Sequence, residues 1–541
     1  MYYSINSRFE LYLTRPARMH TPYTDMVGCP DSISAVSKDA SAPDVLWPTK
    51  TATPTTKAPS SVPTKSGKPT EEYKPALLSK KEALLRVPVH DLPSGLNSAW
   101  THSEYFSKIL TWSDELRKMS VMANCDTHGD AQAASFLKAD GIGKLDVEQL
   151  IIASRNKGIM HAFSTSVTAE KRVASLNLLA SNLQEQISEI LYAAPGITIV
   201  PPHKRNLPSE ENVPVRDIMT TEQQQQDEKF VVVNALLFDS TTAHAFVLLP
   251  EFLESQVTAI CKAVLEAQDS LGITFEINFT VPCLISDHEL DYVLPHMQHS
   301  IDKTCKEYEL NKMSKLAAAE EEEAKQDTAP TASVFRTYGT GRRLFMRSSS
   351  LAQGLKCNIG VCISTPRACI RASTLVKMEA IQFAVFDVEA LTEAVFRVKR
   401  EESGTFMEQY ISKHILAKNP FQVLDERGVG AMMQRAISDM RTARPTFNKG
   451  MDVESDKSEI KCVCFGPEVE NAASIRFLQS IGMDVVSVDT AALPVAKIAA
   501  AQANVEEQFR ESGKLQGWWG DAWKALDSAM FDEGNYYMPV L

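Results

Sequence analysis

Short apolar runs alternate with longer amphipathic segments along most of the chain, from about residue 100 to residue 510. Runs such as Phe230–Phe238 (FVVVNALLF) and Ile381–Phe386 (IQFAVF) are apolar almost throughout, which is typical of strands buried on both faces. The segments between them have the apolar spacing of helices. Roughly eight such strand–helix units predict an α/β fold, a (β/α)8 TIM-type barrel with insertions. A doubly wound open sheet is the alternative architecture.

Local signals place several helix boundaries in this pattern. Thr127 is followed three residues later by Asp130, which predicts a capping box at a helix start. Pro250 is expected in the first turn of a helix that runs to about Ala267. Pro295 lies within the helical stretch Asp287–Asn311 and predicts a kink or a fresh start.

The chain is predicted to have three parts. Residues 1–80 are rich in Pro, Thr and Ser and are expected to form a disordered or extended arm. Residues 81–510 hold the barrel, with an acidic, flexible insert at 312–335. Residues 511–541 form a tail with Trp518, Trp519 and Trp523, which either pack onto the barrel or bind a protein partner.

Composition excludes some functions. The formal net charge of -12 argues against nucleic acid as a partner, and no run of eighteen apolar residues predicts a membrane helix. The 10 cysteines lack CxxC spacing, so we expect reduced thiols in an intracellular protein, cytoplasmic or cytoskeletal. Arginines near the start keep a mitochondrial location open. Cys462 with Cys464, and His296 with His299, have spacings that a metal could use, but neither has further ligands nearby in sequence.

Several segments carry motifs of a known enzyme family, in the same order. Asn419–Ala436 (NPFQVLDERGVGAMMQRA) and Ser474–Gln502 (SIRFLQSIGMDVVSVDTAALPVAKIAAAQ) are the clearest. Ile359–Ala368 (IGVCISTPRA), Leu110–Thr127 and Ala139–Ile151 (ADGIGKLDVEQLI) are further examples. Together they resemble the C-terminal, phosphoenolpyruvate-binding barrel of pyruvate phosphate dikinase. The nucleotide-grasp and phosphohistidine domains of that family have no counterpart here.

The resemblance implies a substrate site at the C-terminal ends of the strands. In the family, arginines hold phosphoenolpyruvate, a glutamate and an aspartate bind Mg2+, an asparagine helps to hold the substrate, and a cysteine protonates the enolate. The corresponding positions in this chain are Met122, Asp146, Val200 and Ser240 for the arginines, Ser364 for the glutamate, Phe386 for the asparagine, Asp387 for the aspartate and Cys464 for the cysteine.

Only Asp387 and Cys464 keep the residue type that the resemblance requires. Removing one oxyanion-type donor typically costs about 2.7–4 kcal/mol. We therefore expect no activity of the family type, no cofactor and no metal, with Asp387 as the lone metal candidate. A capping role is the other interpretation of Asp387, and a buried apolar role that of Cys464.

These observations leave three functional interpretations open. In the first, the barrel is a catalytically inactive structural component of a larger assembly, such as a cytoskeletal or ciliary one, and binds protein partners. In the second, it is an enzyme or ligand sensor whose pocket has been rebuilt around Asp387, Cys464 and Ser364 for a neutral or cationic metabolite. In the third, it is a regulatory subunit, as a homodimer or paired with an active homologue, because the family's barrels dimerise.

Overall fold

Eight parallel strands close into a barrel in chain order, and β8 pairs with β1. The computed structural model describes residues 80–85, 87, 104–197, 230–238, 245–282, 286–326, 355–444 and 460–511. The strands are β1 Ser120–Asn124, β2 Ile142–Asp146, β3 Phe230–Leu236, β4 Thr274–Val281, β5 Lys356–Ile363, β6 Ile381–Asp387, β7 Lys461–Phe465 and β8 Val485–Val488. The predicted (β/α)8 barrel is confirmed, and the open sheet is excluded.

Helices follow the strands and pack around the barrel. They are α1 Lys80–Leu85, α2 Glu104–Leu116, α3 His128–Phe136, α4 Val147–Ile152, α5 Lys157–Thr165, α6 Ala169–Tyr192, α7 Ala245–Leu248, α8 Pro250–Leu271, α9 His288–Gln326, α10 Pro366–Ile370, α11 Ala372–Leu375, α12 Val388–Phe396, α13 Arg400–Ser403, α14 Met407–Ser412, α15 Ala431–Ala443, α16 Ala472–Ser480 and α17 Leu493–Glu511. A π-helical turn, Glu426–Gly430, precedes α15, and a 3-10 turn, Pro467–Glu470, follows β7.

Two apolar layers form the core. The larger layer lies between strands and helices, and the smaller one fills the barrel interior, which we call the lumen. The lumen residues are Met122, Val232, Phe383, Val385, Val463, Phe465 and Val485, with Leu236 packed against them. Because successive strand residues point to opposite faces, neighbours in sequence belong to different layers.

The helix starts predicted at Thr127 and Pro250 are confirmed, whereas no new helix starts at Pro295. Thr127 and Asp130 form both bonds of a capping box at α3, and Pro250 is the first residue of α8. α9 continues through Pro295 to Gln326, so the start of the acidic segment 312–335 is helical. No helix among the described residues has both the length and the apolar character needed to cross a membrane. The predicted arm up to residue 79 and the tryptophans Trp518, Trp519 and Trp523 lie outside the described residues.

Candidate functional site

The C-terminal ends of the strands form the face of the barrel where enzymes of this fold bind substrates. Here that face carries Lys144 and Asp146 on β2, Asp387 on β6, Phe465 on β7 and Asp489 just after β8. We call these five residues the mouth. Four of them are charged, whereas the lumen below is largely apolar.

Lys144 lies across the lumen. Its ammonium forms an ion pair with Asp146 at 2.8 Å and lies 4.8 Å from the centre of the Phe465 ring. β2 and β7 are separated by β1 and β8 in the barrel, so this side chain reaches from one wall to a non-adjacent one. The lysine side chain is only 14% exposed. It therefore places a positive charge near the barrel axis, on an aromatic face.

Carboxylates keep Lys144 protonated. Burial disfavours the charged form, but Asp146, Asp126 and the hydrogen bond to Asp146 outweigh it and raise the lysine pKa, with Asp387 contributing. A lysine in this state is a fixed cation and not a nucleophile. Three carboxylates around one ammonium leave the centre of the mouth with a net negative charge.

Asp146 and Asp387 each cap the helix that follows their strand. The Asp146 carboxylate accepts a hydrogen bond from Glu148 N at 3.0 Å, and the Asp387 carboxylate accepts one from Ala390 N at 3.0 Å. In this position each carboxylate satisfies a backbone N–H that has no partner within the helix. β2 and β6 lie on opposite sides of the barrel, so the two aspartates act on Lys144 from opposite directions.

A chain of hydrogen bonds extends the mouth along β1 and β8. Ser487 Oγ donates to Asn124 Oδ1 at 2.6 Å, and Asn124 Nδ2 donates to Asp489 Oδ1 at 2.8 Å. The Asp489 backbone N–H donates to Glu470 Oε1 at 3.0 Å. Burial, with Asp489 beside it, raises the pKa of Glu470. This side of the mouth therefore presents a carboxyl group that titrates above the ordinary range.

An amide ladder crosses three strands lower in the lumen. Asn278 Nδ2 donates to Asn234 Oδ1 at 2.6 Å, and Asn358 Nδ2 donates to Asn278 Oδ1 at 2.8 Å. The ladder ends on Glu276 Oε1, at 2.6 Å from Asn358 Nδ2, and on the Gly143 carbonyl, at 3.2 Å from Asn234 Nδ2. These hydrogen bonds satisfy the polar side chains that lie in the lumen beneath the mouth, and we call this layer the polar floor.

The structure separates the positions taken from the family motifs into two groups. Met122 lines the lumen, Asp146 and Asp387 lie in the mouth, and Ser364 directly follows β5 at the same end of the barrel. Val200 and Ser240 fall outside the described residues. Phe386 and Cys464, by contrast, belong to the layer between strands and helices.

Phe386 and Cys464 therefore do not face the lumen, which corrects their assignment as pocket positions. Their strand neighbours Val385 and Phe465 point inward instead. Burial raises the pKa of the Cys464 thiol, as does the neighbouring Cys462. A neutral thiol packed among apolar side chains fits the apolar interpretation of this cysteine.

The other candidate ligands do not assemble into a metal site. No group of three or more His, Cys, Asp or Glu with metal-binding geometry occurs within the described ranges. His296 instead pairs through Nδ1 with Glu254 at 2.9 Å. Asp387 is used as a helix cap.

Sequence reasoning missed Lys144 of the mouth and Glu468, which follows β7 at the same end of the barrel. Lys144 lies two positions before Asp146 in the motif ADGIGKLDVEQLI, and its charge in a buried strand was the available signal. Glu468, in the loop FGPEVEN, is completely buried although it is a glutamate. Nothing in the sequence distinguishes it from an exposed loop residue.

Several known proteins that are similar in sequence to this chain carry the same name. No family model matches the chain. "Pyruvate, phosphate dikinase 1, chloroplastic" of Arabidopsis thaliana is 27% identical over 408 residues, 73% of this chain and 36% of that protein. "Pyruvate, phosphate dikinase" of Giardia intestinalis is 26% identical over 417 residues, 74% and 40% of the two chains. The same enzyme of Rhizobium meliloti is 27% identical over 422 residues, 76% and 40%.

The chain thus spans 36% to 40% of the length of these relatives. Among solved structures, the citrate lyase beta subunit of M. tuberculosis, complexed with oxaloacetate and magnesium, covers 71% of this chain and 99% of its own, at 11% identity and a TM-score of 0.26. That score is too low to support an argument.

These relatives correct one expectation. The prediction that the chain is not an enzyme is wrong, because the proteins it matches over about three quarters of its length are named as dikinases, and this relationship points to an enzymatic function. The chain is homologous to pyruvate phosphate dikinase over about 73% of its length, at 27% identity.

Proposed function

We propose that this chain is an enzyme that acts on a neutral or cationic small molecule at the mouth of its barrel. The observation that carries the proposal is the position of Lys144, a partly buried lysine whose ammonium pairs with Asp146 and lies on the Phe465 ring near the barrel axis. A fixed cation at the substrate-binding face can stabilise negative charge that develops during a reaction.

The charge around Lys144 favours this class of substrate. The ammonium interacts with the carboxylates of Asp126, Asp146 and Asp387, so negative charges outnumber the positive charge around it. At an effective dielectric constant of 20, two like unit charges 5 Å apart repel by about 3 kcal/mol. A substrate with several negative charges, such as phosphoenolpyruvate, would be repelled. A neutral or cationic molecule with polar groups would fit the acidic rim.

The polar floor supports a small ligand rather than a macromolecule. The amide ladder and the chain Ser487–Asn124–Asp489 supply ordered donors and acceptors at the end of a closed lumen. Preorganised groups of this kind orient a bound molecule without further rearrangement. The homology adds weight, since the relatives are named as enzymes.

A metabolite-turnover experiment tests the proposal. The purified full chain is incubated with a mixture of polar metabolites, and consumption is followed by mass spectrometry. We expect one or more neutral or cationic compounds to be consumed, and phosphoenolpyruvate to remain. Lys144→Met removes the charge but keeps the length of the side chain, and we expect it to lower turnover by roughly 10²–10³-fold.

Lys118→Met is the matched control. Lys118 is 52% exposed and pairs with Glu507 at 3.4 Å; it lies two residues before β1, at the end of the barrel opposite the mouth. Its loss should leave turnover unchanged. The proposal fails if no compound is consumed, if phosphoenolpyruvate is the compound consumed, or if Lys144→Met turns over as fast as the wild type while remaining folded by circular dichroism.

A further inference from the structure

Asp126 is the second residue after β1, and its side chain bonds to the backbone of β2. The ladder between these two parallel strands shifts register toward its C-terminal end, where Cys125 N donates to the Lys144 carbonyl at 3.0 Å. The Asp146 backbone N–H then donates to a carboxylate oxygen, Asp126 Oδ1, at 3.1 Å. Backbone carbonyls are the usual acceptors in a parallel ladder. The side chain of Asp126 therefore takes the place of a ladder acceptor at the end of β2.

The residue that Asp126 holds is the partner of the mouth lysine. The Asp146 carboxylate pairs with the Lys144 ammonium at 2.8 Å and accepts the Glu148 backbone N–H at 3.0 Å. The same ammonium lies 4.8 Å from the centre of the Phe465 ring. The carboxylate can meet both of its partners only while the backbone of Asp146 stays in place, and the bond to Asp126 fixes its N–H.

We propose that Asp126 is a positioning residue, which holds the Asp146 backbone and so keeps the Lys144 ammonium on the Phe465 ring. The inference rests on the function proposed above, in which Lys144 stabilises negative charge that develops on the substrate. Asp126 has this effect without contact with the substrate. Misplacing a reacting group by about 1 Å can cost about 10²-fold in rate.

The loop that carries Asp126 is anchored on both sides. Before it, Asn124 Nδ2 donates to Asp489 Oδ1 at 2.8 Å. After it, the Thr127 backbone N–H donates to Asp130 Oδ2 at 3.0 Å, as part of the capping box of α3. The backbone on either side of Asp126 therefore has fixed partners, which preorganises the carboxylate between them.

The charge of Asp126 acts in the same direction as its hydrogen bond. Burial alone would lower the pKa of Lys144, and the charges that raise it most are those of Asp146 and then Asp126. The two effects can be separated by substitution. Asp126→Asn keeps an acceptor oxygen in a side chain of the same shape and removes only the charge, whereas Asp126→Ala removes both.

NMR of the full chain, with 13C at the ε-carbons of lysine, reports the position of Lys144 without any substrate. Protons above an aromatic ring resonate upfield, so we expect an upfield ε-methylene signal in the wild type that is missing in Lys144→Met. The signal should stay in Asp126→Asn and move toward that of exposed lysines in Asp126→Ala. Asp126→Ser is a second variant, which keeps a polar side chain whose oxygen is one bond too short to reach the Asp146 N–H. It should behave as Asp126→Ala does.

Asp130→Ala is the matched control, because it removes a carboxylate from the same loop without touching Asp146. It should leave the signal and the turnover of the consumed metabolite unchanged. We expect Asp126→Ala and Asp126→Ser to lower kcat/KM by roughly 10²-fold and Asp126→Asn to lose much less. The loss should fall on kcat rather than KM, because Lys144 acts on charge that develops in the transition state.

The outcomes separate this inference from the proposed function. The inference is overturned if Asp126→Ala and Asp126→Ser keep the wild-type signal, or if Asp126→Asn loses it as fully as they do. If the signal moves and turnover does not, the positioning role is overturned while the proposed function stands. If the wild type shows no upfield signal, Lys144 is not on the ring and both fall. If the wild type consumes no metabolite, the proposed function falls, and the signal alone decides whether Asp126 positions Lys144.

Discussion

A buried ion pair at the N-terminal end of the barrel gives the sharpest stability prediction. The guanidinium of Arg117 pairs with both carboxylate oxygens of Asp140, through Nη2 to Oδ1 at 2.6 Å and through Nη1 to Oδ2. The two side chains are 1% and 5% exposed. Asp140 Oδ2 also accepts the Val121 backbone N–H at 2.8 Å, which ties the pair to β1.

This pair joins the first and last units of the barrel. Arg117 also donates to Asp114 at the end of α2, and Asp114 pairs with Lys497 of α17 at 3.1 Å. Asp140→Asn keeps the shape of the side chain but removes its negative charge. The buried guanidinium of Arg117 then loses this counter-ion and faces an amide N–H donor. Breaking a buried pair from one side typically costs 3–5 kcal/mol. We expect Asp140→Asn to lower the free energy of unfolding by about this amount.

Urea unfolding followed by circular dichroism measures the effect. The control is Asp439→Asn, which removes an ion pair with Arg435 at 2.9 Å on the surface of α15, where the arginine is 80% exposed. Exposed pairs contribute about 0–1 kcal/mol, so the control should lose no more than that. The reasoning is refuted if Asp140→Asn costs less than about 1 kcal/mol, or no more than the control.

Three further predictions follow from the face around β7. The pKa of Glu468 is raised from its ordinary value of 4.5 to about 8 in the native state. Between these pH values the native state binds more protons than the unfolded state, so the free energy of unfolding falls as the pH rises. Thermal unfolding from pH 5 to pH 9 should show this fall in the wild type and a smaller fall in Glu468→Gln, in which Glu470 still contributes. Gly466→Ala should destabilise the protein, because φ is +138° and the new Cβ meets Glu468 Oε2; unchanged melting would contradict this. Cys464 should resist alkylation by iodoacetamide in the native protein and react after unfolding, as peptide mass spectrometry would report.

The architecture could be predicted from the sequence alone. Strands apolar throughout and separated by helices predicted a parallel barrel, and the boundary residues Thr127 and Pro250 lie where their chemistry predicts. These features depend on local spacing and backbone preferences, which the sequence shows directly.

The site was less predictable because it depends on which way each side chain faces. Matching motif letters placed Phe386 and Cys464 in the pocket, but a displacement of one residue in a strand reverses the face, and Val385 and Phe465 are the inward residues. Lys144 was missed because its partner Phe465 lies on a non-adjacent strand, a contact that only the closed barrel creates.

The central claim is that Lys144 and the carboxylates around it form the active site of an enzyme for a neutral or cationic small molecule. The most direct test is kcat/KM for the consumed metabolite, measured for the wild type, Lys144→Met and Lys118→Met. The account predicts a kcat/KM at least 100-fold lower for Lys144→Met and an unchanged value for Lys118→Met. Equal values for all three proteins would contradict it.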